Sequence, residues 1–187
     1  PLGEFIALHA GLAKKKDKSL QKKADDLLKA NAASWLGDLT KLDEGERQIT
    51  WRYGFMEKVA LGGDEYSETD GAEVYTALRK LPTARFIRDL ELRVFSDDDG
   101  QPNYNPILKL MASSGLPPTL KRLAFDVMGY QVSWTDLGDL SKLYPQLQNL
   151  EILDLHVGAH VLVGVEVARA SAVRHLDRDD LCPEMLL

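Results

Sequence analysis

Cysteine is nearly absent: Cys182 is the single thiol in 187 residues. No internal disulfide can form, and a reducing, cytoplasmic setting is expected. Long apolar runs are missing too. None approaches the roughly 20 residues of a membrane-spanning helix, so no membrane partner is expected. Basic charge is scarce, with 23 Lys and Arg against 29 Asp and Glu and a net charge of −6. Surfaces for nucleic acid are usually strongly basic, so nucleic acid is not an expected partner. The chain begins on Pro1 rather than Met, and its natural start is expected upstream. What remains is an ordinary composition, 44% hydrophobic and 28% charged. It suffices for one domain, or for a short solenoid with a cap.

The organising feature is a repeated stretch. Ile87 to Val94, Leu120 to Val127 and Leu150 to Val157 all read apolar-x-x-apolar-x-apolar-x-apolar, and Met56 to Leu61 is a weaker copy. The last five residues of each full copy alternate with the two-residue period of a strand that buries one face. Starts at 87, 120 and 150 imply stacked supersecondary units.

Between the copies lies one recipe of helix, proline and strand. Asp70 and Glu73 form a capping box, Val74, Tyr75 and Leu78 face inward, and Pro82 stops the helix. Asn105 caps the next helix with Pro106 at its first position, Ile107, Leu108, Leu110 and Met111 face inward, and Pro117-Pro118 ends it. Ser133 and Asp136 offer a third box before Leu137, Leu140 and Leu143, with Pro145 as the stop. Helical crossovers make successive strands parallel and the crossover right-handed. Ahead of the units, amphipathic spacing predicts one helix over the first 13 residues and a second from Ser19, its cap, to Leu36. Ile49 to Tyr53 and Phe55 to Leu61 read as strands around Gly54. Beyond Val157 the recipe lapses, although Val173-Arg174-His175-Leu176 begins like another strand.

The N-terminal residues Pro1-Leu2-Gly3-Glu4-Phe5-Ile6-Ala7-Leu8-His9 resemble the second half of the motif of a bacterial repeat-companion domain, which precedes leucine-rich-repeat-like arrays. Ser34-Trp35-Leu36-Gly37 and Trp51-Arg52-Tyr53-Gly54-Phe55 resemble the segment that joins that domain to its repeats. Leu120-x-x-Leu123-x-Phe125 and Leu150-x-x-Leu153-x-Leu155 are similar to leucine-rich repeats. The Asn or Cys of that repeat is replaced here by Phe95, Met128 and Gly158. The resemblance implies a bacterial scaffold for protein contacts, with no catalytic residues to carry over.

The fold class expected is α/β: a short leucine-rich-repeat-like solenoid with parallel strands and outer helices, preceded by a helical N-terminal cap. The cap covers residues 1–47, the solenoid 48–160, and an irregular or truncated tail 161–187. The expected function is non-catalytic protein–protein interaction by a monomer, with an unidentified protein partner and no cofactor or metal. If the leucine positions point inward, Glu91, Ala124 and Asp154 form one outward column, and Arg93, Asp126 and His156 a second. These six are the expected contact residues, and an ion pair between Arg93 and Asp126 is the plainer use of that face.

Competing sites carry weaker signals. Gly62-Gly63-Asp64-Glu65-Tyr66 resembles the signature of diguanylate cyclases, and its carboxylates would serve a metal- or nucleotide-dependent enzyme or sensor. The upstream Asp that such chemistry needs is missing, and a Gly-rich strand-to-helix turn is the plainer reading. A purely structural spacer is a further alternative. Asp97-Asp98-Asp99-Gly100 lacks the twelfth-position Glu of a calcium loop, since Leu108 stands there. His156 and His160 have helical zinc spacing, but on a strand and past its end. Cys182 has no positioned base. Lys14, Lys15, Lys16, Lys18, Lys22 and Lys23 read as a solvated helix junction without the interleaved aromatics of a single-strand binder.

Overall fold

A two-residue turn at Tyr53-Gly54 sets the topology. Both residues have positive φ, 51° and 78°, the conformation of a type I′ hairpin turn. It folds β1 (Arg47–Arg52) back antiparallel on β2 (Phe55–Leu61). From β2 onward every pairing is parallel: β3 (Asp89–Leu92), β4 (Arg122–Asp126), β5 (Ile152–His156) and β6 (Ala172–His175), in the order β1 to β6. The expected all-parallel array is thus corrected to a mixed sheet, because a two-residue connection can join only antiparallel neighbours. The computed structural model describes residues 1–63, 69–95, 103–126, 137–156 and 172–175, with His156 and 172–175 described by backbone alone. The sheet therefore continues past residue 160, where the solenoid was expected to end.

The repeated leucines stack in register. Val59, Leu90, Leu123 and Leu153 form one row, and Leu61, Leu92, Phe125 and Leu155 the next. All eight are buried in a single continuous core. The weaker copy at Met56 therefore joins the sheet in phase with the others. Its three-residue step from Met56 to Val59 is a β-bulge. Thr50 pairs with Lys58 and Trp51 with Met56, so Glu57 is the extra residue. The bulge lets both Met56 and Val59 face the core.

Among the described residues two α-helices cross between strands. α3 (Gly71–Lys80) is capped by Asp70, whose carboxylate accepts from the Ala72 and Glu73 amides, and it buries Val74, Tyr75 and Leu78. α4 (Asn105–Ser114) buries Ile107, Leu108 and Met111. Its cap differs from expectation: Asn103 Oδ1, not Asn105, accepts from a terminal amide, that of Asn105, at 3.0 Å. Pro82 opens a 3-10 helix, Pro82–Phe86, rather than simply ending α3. The third crossover departs most. Leu140–Gln146 is a 3-10 helix with Pro145 inside it and Asp139 as its cap. Proline removes an α-helical donor, and the shorter-pitch winding still buries Leu140 and Leu143. Ser133 and Asp136 lie outside the described residues.

At the N-terminus, α1 (Leu2–Lys14) and α2 (Lys18–Leu36) pair as a helical hairpin. Asp17, not Ser19, caps α2, because its carboxylate reaches the Ser19 amide at 2.8 Å and the Leu20 amide at 3.2 Å. α1 seats on the β1–β2 turn. A Cβ at Gly54 would lie 2.5 Å from Ile6 Cγ1, so only glycine meets both the backbone angle and the close approach. Phe5 is the anchor, packed against Trp35 and edge-on to Trp51 at 5.3 Å.

Candidate recognition face

The sheet face opposite the leucine rows carries the charged side chains. Its first row runs Lys58, Asp89, Arg122, Ile152, and its second Ala60, Glu91, Ala124, Asp154. Arg122 occupies the middle of this face. Its Nη1 donates to Asp89 Oδ1 at 2.8 Å and lies 3.7 Å from Glu91 Oε2. Its Nε donates to Asp154 Oδ2 at 2.8 Å. Carboxylates from both neighbouring strands thus bracket one guanidinium, whose planar fork suits divided attachment. Burial alone would lower the Arg122 pKa, but the bonds to Asp89 and Asp154 outweigh it and hold the pKa above its ordinary value.

The network continues in both directions. Lys58 Nζ lies 3.6 Å from Asp89 Oδ2. Glu91 also takes Arg93 Nε at 3.0 Å, so it bridges two arginines. The other Arg93 nitrogens donate to Gly45 O at 3.2 Å and Gln48 Oε1 at 3.0 Å. Arg93 is therefore turned toward β1, in place of the expected pairing with Asp126. The charges alternate, Lys58, Asp89, Arg122, Glu91, Arg93, with Asp154 as a branch.

Two expected contact residues are corrected. Ala124 is only 1% exposed. Its methyl sits between Glu91 and Asp154 in the register and is overtopped by these longer neighbours and by Arg122. Asp154 is 8% exposed because Arg122 lies against it, and its Oδ1 has no hydrogen-bond partner among the described residues. Both support the face from beneath. Glu91, Arg93 and Asp126 are half-buried, and Asp126 stands opposite His156 in the register. Lys58, with 60% of its side chain exposed, is the most accessible member of the network.

Arg122 escaped sequence reasoning because the alternation was counted from the leucine that follows it. The strand starts one residue earlier. The signal was present, since the residues directly before the row leucines, Lys58, Asp89 and Arg122, alternate in sign.

The glycine turn has a structural explanation. Gly62 has φ +102°, and a Cβ there would lie 2.8 Å from Val94 O. Gly63 N–H donates to Val94 O at 3.2 Å. Both glycines serve the close passage of the end of β2 past the end of β3. Asp64 and Glu65 lie outside the described residues, as do Asp97 to Asp99, His160 and Cys182. Among the described residues no three His, Cys, Asp or Glu side chains are grouped to hold a metal, and no helix is long and apolar enough to cross a membrane. The six N-terminal lysines are all exposed.

No known protein family, curated protein or solved structure matches this chain.

Proposed function

We propose that this chain is a non-catalytic protein-recognition module, a short leucine-rich-repeat-like solenoid that presents the charged rows of its sheet to a partner protein. The observation that carries this reading is the network centred on Arg122. Long charged side chains usually lose rotamer freedom on binding, at about 0.5–1.5 kcal/mol each. Here Asp89, Glu91, Arg93 and Arg122 are already held by one another across adjacent strands. A face fixed in advance suits complementary charge on a partner, which favours specificity and rapid encounter.

The test is affinity capture from a lysate with the wild-type chain and with Thr50→Glu/Lys58→Glu. Both substituted residues are exposed in the first row, so the leucine core is untouched. The expected result is partners retained by the wild type, released as salt is raised, and lost from the variant. Retention of the same proteins by both chains would remove the strand face from recognition.

A further inference from the structure

A second feature lies at the β1 end of the sheet, where the first row ends at Thr50. α1, α2 and β1 line a half-open cleft of about 650 Å³, within the span typical of small-molecule sites, about 300–1,000 Å³. We propose that this cleft binds a small organic amine, its ammonium held by Asp25 and its apolar or aromatic body lying against Trp51, which the buried Phe5 backs.

The cleft combines an aromatic wall with one oriented carboxylate. Phe5 and Trp51 meet edge-on at 5.3 Å, and His9 stands edge-on to Phe5 at 4.4 Å. Asp25 faces them from α2. Gln21 Nε2 donates to its Oδ1 at 2.8 Å and so fixes the carboxylate while leaving its charge intact. Among the described residues Asp25 enters no salt bridge. The lining's cation is already paired: Arg52 bonds Glu57 at 2.7 Å and lies over the Tyr53 ring, also of the lining, at 5.3 Å. Burial lowers the pKa of His9, and the Asp25 carboxylate pulls it partly back, so the imidazole favours its neutral form near pH 7. The uncompensated charge on the lining is therefore negative.

That balance selects the ligand class. A carboxylate or phosphate ligand would meet the Asp25 charge and would have to share Arg52 with Glu57. A neutral apolar molecule would leave Asp25 unused. A cation with an apolar body satisfies both walls, since an ammonium pairs with the carboxylate and is attracted to an indole face.

The experiment is isothermal titration of the intact chain with 2-phenylethylamine, with phenylacetate as the anionic counterpart of equal shape. NMR of the Trp51 indole N–H locates the site. Saturable amine binding that shifts the Trp51 signal, no binding of phenylacetate, and an affinity about tenfold or more weaker in Asp25→Asn are expected. Asp25 is exposed, so the variant keeps its fold. Absence of amine binding, equal binding of amine and acid, or unchanged affinity in Asp25→Asn would each overturn the proposal.

Discussion

Arg122→Met is expected to destabilise the chain by about 3 kcal/mol, the usual scale for leaving a buried charge, here Asp154, without its partner. For a chain of this size that lowers Tm by roughly 10 °C. Three carboxylates, Asp89, Glu91 and Asp154, would lose the guanidinium they share. Asp154 is most affected, being buried with one oxygen unpartnered among the described residues. Added salt should recover part of the loss by screening the remaining like charges. Arg122→Lys should fall between, because an ammonium keeps the charge but lacks the fork that reaches two strands at once. Chemical denaturation of the three chains measures this directly. An Arg122→Met chain as stable as wild type would show that the contacts are surface pairs of little worth.

The largest single loss is expected from Tyr104→Ala, about 4 kcal/mol for an aromatic side chain removed from a packed core. Tyr104 is fully buried and sits edge-on to Phe95 at 6.0 Å and Phe125 at 5.5 Å. Its hydroxyl donates to the Arg93 carbonyl at 2.7 Å, tying the start of α4 to the strand end where the charged rows begin. Tyr104→Phe should keep the packing and cost about 1–2 kcal/mol for the carbonyl left unpaired. A pH dependence follows. Burial, and secondarily the Asp126 carboxylate, raise the Tyr104 pKa well above its ordinary value, and burial pushes Tyr75 up to about 12. The unfolded chain then releases these protons first, so stability falls as pH rises above roughly 10. Denaturation between pH 8 and pH 11 should show this slope, reduced in Tyr104→Phe.

The parts of this fold that were legible in the sequence are those set by period and by caps. The leucine rows follow from two-residue alternation in three equivalent stretches, and Asp70 was visible as a cap because its carboxylate precedes the amides it serves. The hairpin was half legible: Gly54 marked a turn, but the antiparallel pairing depends on Tyr53 also adopting positive φ, which its side chain does not announce. The bulge at Glu57 is a property of two strands paired, so one strand alone cannot reveal it. Pro145 marked an end by local rule, and a 3-10 winding absorbed it. Among the expected contact residues, face counting put Glu91 and Arg93 on one side of the sheet, where they pair with each other. Ala124 was misjudged because facing away from the core does not mean exposure when neighbours are long. The cleft at Asp25 was illegible, since it needs the docking of α1 on Gly54 before Phe5, Trp51 and Asp25 share one space.

The central claim is that the outer sheet face is one assembled unit built on Arg122. The most direct test is a double-mutant cycle on Arg122 and Asp154, with Arg122→Met, Asp154→Leu and the double variant compared by denaturation. The structure predicts a coupling energy of about 1.5 kcal/mol or more, with the double variant markedly more stable than the sum of the single losses implies. Additive losses, with coupling near zero, would contradict it and leave the face a set of independent surface charges.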